Sequence, residues 1–166
     1  MDSTVKYGQE IGPNLIKIAQ RLLQNQNLCK LIKNTDMDPL NSELHSDEIN
    51  GLSLLNKNVR VVPLITAEDQ TTESKIVLLF DEGKINYSNS DNENLSLMIN
   101  VYCPFEEWLI VGDTLRPFAI MSEIRKSIQD KRINGLGEIK YSGFSVSTLT
   151  EEMGCYVMGF EINAFS

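Results

Sequence analysis

The stretch from Ser96 to Lys131 constrains the fold more than any other part of this chain. It opens with a run whose alternate residues form two sets, one for each face of a strand, and both sets are apolar. The first set is Leu97, Ile99, Val101 and Cys103, and the second includes Met98 and Tyr102. That period predicts a β-strand, and apolar residues in both rows predict burial on both faces. Pro104 ends the run, because proline donates no hydrogen bond to a sheet. We therefore expect a central strand here.

The same stretch continues into a predicted helix, from Pro117 to Arg132. Asp113 or Thr114 can cap its start, and Pro117 suits a first helical turn. Apolar residues then recur at helical spacing, which predicts a stripe packed on the sheet: Phe118, Met121, Ile124 and Ile128. Gly135 lies just beyond the basic end of the helix and is the expected stop signal.

The other predicted elements surround this strand and helix. A helix is expected over residues 11–33, with Pro13 near its start, and an acidic loop follows over 34–58. Residues 59–65 form a β-branched run, and Asp81-Glu82-Gly83 resembles the turn of a hairpin. A long hairpin closes the chain, with arms at Ile139–Thr148 and Cys155–Ile162.

This order of elements predicts a single α+β domain over residues 1–166. Its core, residues 59–162, is a mostly antiparallel sheet packed by the N-terminal helix and the central amphipathic helix, with a C-terminal hairpin. The antiparallel expectation rests on connection length, since Phe105–Ile139 is the one connection that suits a parallel crossover.

Composition and charge exclude several classes of function. A net charge of -8 argues against a surface that grips nucleic acid through its phosphates. No run has the length of a membrane-spanning helix, and residues 1–10 lack the pattern of a signal peptide. Three widely spaced cysteines, each beside apolar residues, are expected to be buried, reduced thiols: Cys29, Cys103 and Cys155.

The titratable residues do not form a recognisable catalytic or metal-binding pattern. His45 is the single histidine and is expected to be a solvated loop residue without a partner. Asp36-Met37-Asp38 with Asn41 resembles the opening of a calcium loop but lacks its glycine and closing glutamate. The remaining candidates are interpreted as a helix stop, a strand pattern and an exposed acidic edge: Gly135-Leu136-Gly137, Ser142-Gly143 with Ser145, and Glu106-Glu107. We therefore expect no enzyme activity, no cofactor and no metal.

Two long polar segments are the better functional signal. Asn34–Asn58 and Ala67–Ser74 interrupt an otherwise compact domain, and acidic loops of this kind also simply keep a protein in solution. Their low apolar content predicts that they become ordered only between neighbouring copies.

The chain resembles the small neck and upper-tail proteins of tailed bacteriophages, especially tail terminator, or tail completion, proteins. Three stretches carry the resemblance: Leu28–Lys33 followed by Thr35, Asp36, Asp38, Pro39 and Leu40; Leu97–Cys103 followed by Gly112–Pro117; and Gly159-Phe160-Glu161-Ile162.

The resemblance implies a virion protein that forms a ring, usually a hexamer, at the head-proximal end of the tail. Such a ring caps the tail tube and joins it to the neck. The implied partners are further copies of the chain, the tail tube protein, head-completion or neck proteins and, as a further candidate, the tail sheath. Genomic DNA would pass the lumen without specific binding, and synthesis would take place in the cytoplasm of a bacterial host. Alternatives are a head-closure or other neck adaptor and, more distantly, a cytosolic ligand-binding or regulatory domain.

Overall fold

The alternating run lies in β3 (Glu93–Pro104), the middle strand of a five-stranded sheet. The structure is a computed structural model and describes residues 3–61, 73–85, 93–133 and 136–163. The strand order is β1–β2–β3–β7–β6, where the remaining strands are β1 (Val59–Arg60), β2 (Lys75–Ile85), β6 (Ile139–Leu149) and β7 (Met153–Asn163). A two-stranded pair, β4 (Leu109–Ile110) and β5 (Thr114–Leu115), lies outside this sheet. The predicted single α+β domain with a C-terminal hairpin is confirmed.

The sheet is mixed, because β1 runs parallel to β2. Val59 pairs with Ile76 and Arg60 with Val77, whereas the β2–β3, β3–β7 and β7–β6 pairs are antiparallel. The prediction from connection length was therefore wrong at this edge. A parallel pair needs a connection of about a dozen residues, and the sequence from 61 to 74 has that length.

The expected hairpin turn at Asp81-Glu82-Gly83 is also wrong. β2 continues through these residues, with a bulge between Phe80 and Glu82, and Gly83 pairs with Leu95 of β3. Because a bulge adds one residue to one strand, it leaves a polar interruption that resembles a turn in the sequence. Most of Ala67–Ser74 lies outside the described residues.

Three helices cover one face of the sheet: α1 (Ser3–Leu23), α2 (Gln26–Lys33) and α3 (Arg116–Ile128). The N-terminal helix begins at Ser3, earlier than predicted, and Pro13 lies inside it. Asn25 separates α1 from α2, and its side chain caps α2 by accepting a hydrogen bond from the Leu28 N–H at 3.1 Å. The single helix expected over residues 11–33 is therefore two helices.

The central helix differs from the prediction at both ends. Leu115 occupies the N-cap position without a side-chain cap, so neither Asp113 nor Thr114 serves that role. The helix ends at Ile128, before the predicted end at Arg132. Asp130 takes the left-handed conformation, with a φ of 57°, in the role expected of Gly135. Gly135 itself lies outside the described residues. Pro117 lies in the first turn, as predicted.

The core lies between the helices and one face of the sheet. Leu97, Ile99, Val101 and Cys103 of β3 are fully buried there, with Ile120, Ile124 and Ile128 of α3. The second row of β3, which includes Met98 and Tyr102, is only half-buried, so burial on both faces was wrong. Phe118 departs from the predicted core stripe, because 37% of its surface is exposed.

The acidic segment, residues 34–58, is packed on the domain. The Gln26 side chain donates to the Ile49 carbonyl at 2.8 Å and accepts from the Ile49 N–H at 2.9 Å. A 3-10 turn at Gly51–Leu54 then buries Leu54. This segment is therefore ordered within one chain, which corrects the expectation that it needs a neighbouring copy.

Candidate interaction surface

A row of contacting aromatic rings crosses the surface from the end of β3 to β6. We call Phe105, Trp108, Tyr156, Phe118 and Phe144 the aromatic ridge. Successive ring centroids lie 5.0 to 6.0 Å apart, in tilted or edge-to-face orientations. Phe105, Phe118 and Phe144 are among its exposed members, with 55% of Phe144 open to solvent. Large exposed aromatic surfaces of this kind are enriched at protein interfaces.

The ridge borders a groove between α3 and β6. This α3–β6 groove has a volume of about 500 Å³ and is lined by Phe118, Met121, Ser122, Arg125, Lys126, Gln129, Asp130, Tyr141 and Phe144. Its apolar floor comes from both elements, because β6 directs Tyr141 and Phe144 to the helical side of the sheet. The groove can accept an apolar side chain with a polar neighbour.

Arg125 is the principal cation over this groove. Its guanidinium lies 4.1 Å from the Tyr141 ring centroid, and its Nε donates to Gln129 Oε1 at 2.7 Å. No carboxylate among the described residues forms an ion pair with it. In contrast, Lys126 is paired with Glu123 and Lys140 with Asp130 and Glu138. Arg125 is thus a positioned cation that is available to an incoming acidic group.

The strand that carries half of the groove is also the edge of the sheet. Among the described strands β6 pairs with β7 alone, so its outer backbone groups face away from the sheet. Phe144 and Val146 lie on this strand, and 52% of Val146 is exposed. An eleven-residue edge with exposed apolar side chains is a template for pairing.

A buried arginine fixes the acidic segment to the other end of α3. Arg116 is fully buried and donates to four backbone carbonyls: those of Leu31, Asn34, Asp36 and Glu107, at 2.7, 2.6, 2.5 and 2.7 Å. Burial lowers the pKa of Arg116, although the nearby Glu107 carboxylate opposes that shift. These bonds join α2, the acidic segment and the connection after β3 at one point.

The exposed part of the acidic segment is a turn held by its own side chains. Asn41 Oδ1 accepts from the Glu43 and Leu44 N–H groups, and the His45 N–H donates to the Asn41 carbonyl at 2.8 Å. His45 Nε2 lies 2.7 Å from Asp36 Oδ2. Burial raises the pKa of Asp36, but hydrogen bonds from the Asp38 N–H and His45 outweigh this effect and leave it lowered. Leu44 projects from this turn with 66% of its surface exposed.

Several residues considered in the sequence have different environments from those expected. His45 has a partner in Asp36, so the interpretation as an unpaired loop histidine was wrong. Asp36 and Asp38 bond to His45 and Asn41 respectively. Glu107 is buried and lies 3.4 Å from the Ser74 hydroxyl, whereas Glu106 is exposed. Ser142 and Gly143 lie in β6 at a register shift.

The three cysteines are buried and free, as predicted. Burial raises the pKa of Cys103 to about 12, so its thiol stays protonated. Among the described residues no group of three or more His, Cys, Asp or Glu side chains could hold a metal ion. No helix of the described part combines the length and apolarity needed to cross a membrane.

Sequence reasoning did not identify the groove. Phe118 fits the helical stripe of buried residues, and only the position of β6 leaves its ring exposed. Phe144 lies beyond the register shift at Tyr141/Gly143, which places it on the same side as Tyr141 despite an odd spacing. The one usable signal was a concentration of basic residues: residues 116–140 contain six Lys or Arg and three Asp or Glu in a chain of charge -8.

Comparison with known proteins gives one family. The model of the YomW family matches residues 25–162, which include the groove, the ridge and most of the sheet. No curated protein matches the chain. The family has the name of a Bacillus phage-derived gene, which suggests a phage-related protein. Because the match covers most of its length, the chain belongs to the YomW family.

Proposed function

We propose that this protein is a structural component of a phage virion that forms a ring at the head-proximal end of the tail. In this role it caps the tail tube and joins it to the neck. The observation that carries the proposal is the exposed apolar row of Phe118, Phe144 and Val146 beside an open sheet edge. This is a surface suited to assembly, in a protein of a phage-related family.

A closed ring would cover the exposed sheet edge of each copy. An exposed edge strand invites uncontrolled pairing unless another element covers it. Head-to-tail contacts end when rotational symmetry closes, so a ring covers every edge without leaving a free one. We expect a hexamer, which the tail tube can template even if the purified protein is monomeric.

The charge of the chain also supports a place on the path of DNA. A net charge of -8 on each copy disfavours phosphate binding, and DNA must pass through the lumen without adhering. The proposed partners are other copies of the chain, the tail tube protein, head-completion or neck proteins and, as a further candidate, the sheath. The protein would be made in the host cytoplasm and reside in the virion.

The proposal assigns no catalytic role to the chain. Arg116 and Glu107 are buried and are used inside the fold. His45 and Asp36 hold a turn. The available surface chemistry is that of binding.

An averaged reconstruction of the assembled particle tests the function. The expected result is a ring of copies between the tail tube and the neck. A ring directly on the portal side, without contact to the tube, would instead assign the protein to head closure. A particle in which the protein is absent from both places would contradict the proposal and favour a cytosolic binding domain.

A further inference from the structure

We propose that the α3–β6 groove binds the acidic segment of a second copy of this chain. In this contact Leu44 packs on the exposed surface of Phe118 and Phe144, and Glu43 pairs with Arg125. The inference rests on the proposed ring, for which it names the contact between copies.

The inserting side is already shaped as a binding element. Leu44 projects from a turn that is fixed by Asn41 and by the His45–Asp36 contact. The same stretch is anchored to the core where the Asp36 carbonyl accepts from Arg116. Because the turn is ordered before binding, little conformational entropy would be lost when it docks.

The inserting side also has unused negative charge. Residues 34–58 contain five Asp or Glu and one Lys. Within the part of the chain that the structure describes, Glu43, Asp47 and Glu48 form no ion pair. They lie within four residues of the exposed Leu44 in the sequence, so the segment combines an apolar tip with negative charge.

The receiving side has the opposite pattern. Phe118, Met121 and Phe144 supply apolar surface, and Arg125 lies at the border, held on Tyr141. Asp130 also lines the groove and interacts with the charge of Arg125, but its direct ion pair is with Lys140. No described carboxylate lies within ion-pair distance of Arg125, so an incoming Glu43 would not have to displace a direct partner. Such complementarity fixes the register of an interface and opposes wrong pairings.

The two sides belong to different surfaces of one molecule. No residue of 34–58 lines the α3–β6 groove, so the chain does not fill its own groove with this segment. A contact between two unlike surfaces is head-to-tail, which is the type that generates rings. A second copy is therefore the occupant, since one chain carries both complementary halves.

Charge reversal tests the pairing of Glu43 with Arg125. We expect Arg125→Glu and Glu43→Arg each to weaken association of copies about fivefold, measured by sedimentation velocity at low salt. A chain with both substitutions should regain most of the parent affinity, because the pair is restored with its signs exchanged. Lys84→Glu, which makes the same charge change on β2, is the control and should have no specific effect. Failure of the double variant to recover would contradict the pairing.

A second pair of variants tests the apolar tip. Leu44→Ser should weaken association about tenfold or more, because a leucine loses its burial in the groove. Leu52→Ser is the matched control, since Leu52 lies in the same segment and is exposed to 64%, close to the 66% of Leu44. Equal effects of the two substitutions would overturn the assignment of Leu44.

Oxidative cross-linking gives a result even if the free protein associates weakly. Chains with Leu44→Cys are mixed with chains of different mass that carry Ser122→Cys, in the groove. We expect a mixed disulfide well above that of a Leu52→Cys and Ser122→Cys control. No excess at any protein concentration, or capture of the groove by the tail tube or a neck protein instead, would overturn the inference.

A ring with other contacts would contradict this inference alone, whereas this contact without a ring in the particle would contradict the proposed function alone.

Discussion

At the residue scale, Arg116 shows how the chain stabilises a buried charge without a direct ion pair. Among the described residues no carboxylate lies within ion-pair distance of it, and four carbonyls from three separate stretches accept hydrogen bonds from it. Each hydrogen bond to a charged group contributes more than one between neutral groups, which offsets the cost of burial. Neither the burial nor the partners could be predicted from the sequence, because every residue has a backbone carbonyl and no residue type marks the ones that accept.

Glu107 gives a pH dependence that follows from its burial. Burial raises the pKa of Glu107 above its ordinary value of about 4.5, although Arg116 and Ser74 oppose the shift. A raised pKa means that the folded state binds the proton more tightly than the unfolded state, so stability falls as the pH rises through this range. We expect Glu107→Gln to remove that fall, as measured by urea unfolding at pH values from 4 upward.

The neighbouring residue is the control for this prediction. Glu106 is exposed and precedes Glu107 directly, so Glu106→Gln removes the same charge from the same turn. Its pH profile should keep most of the fall seen in the parent, because Glu106 is a lesser cause of the raised pKa of Glu107 than burial. A Glu107→Gln profile with the same fall as the parent would show that Glu107 does not titrate differently in the folded state.

At the element scale, the Trp108 ring helps to hold the connection after β3 against the C-terminal hairpin, together with a hydrogen bond from the Phe105 N–H to the Glu152 carbonyl. The Trp108 indole donates to the Cys103 carbonyl at 3.0 Å and packs directly on Gly154 of β7. A Cβ at Gly154 would overlap the Trp108 ring. We expect Gly154→Ala to lower the free energy of unfolding by about 1–3 kcal/mol, since the ring must move, as measured by denaturant unfolding.

A glycine remote from this contact is the control. Gly12 lies inside α1, and apart from its chain neighbours a Cβ there would meet nothing within 4 Å. Gly12→Ala should change stability less than Gly154→Ala, because the preference of alanine for a helix is opposed by the contact of its Cβ with the ring of Pro13. A Gly154→Ala protein as stable as the parent would mean that the connection is not held by this contact.

Elements with a regular period were predictable, and elements with an irregularity were not. β3 and the core stripe of α3 follow from alternation and helical spacing, and so does the closing hairpin. β2 was divided in two because a bulge at Asp81 inserts polar residues into a continuous strand. The helix end was misplaced because Asp130 takes the left-handed conformation usually left to glycine.

At the scale of the whole molecule, helices cover one face of the sheet but leave part of β6 and part of the ridge exposed. Phe118 of α3 and Tyr141 of β6 lie where the helix meets the strand, and further along β6 Phe144 and Val146 remain more than half exposed. The sequence could not predict this, because the same apolar residues would suit a buried strand. Which face is covered depends on where α3 lies across the sheet.

The β6 edge should therefore be needed for assembly while contributing little to folding. Val146→Lys places a charge beside the edge, which blocks pairing with another copy. The lysine stem can cover the same surface, so stability should change by only about 0.5 kcal/mol. We expect particles with this variant to lack the ring in averaged electron micrographs, while the purified variant unfolds close to the parent midpoint.

Ser145→Lys is the control, because Ser145 is also exposed on β6 but pairs with Val157 on the other face. Rings in the Val146→Lys particles as complete as in the control would exclude this edge as the contact between copies.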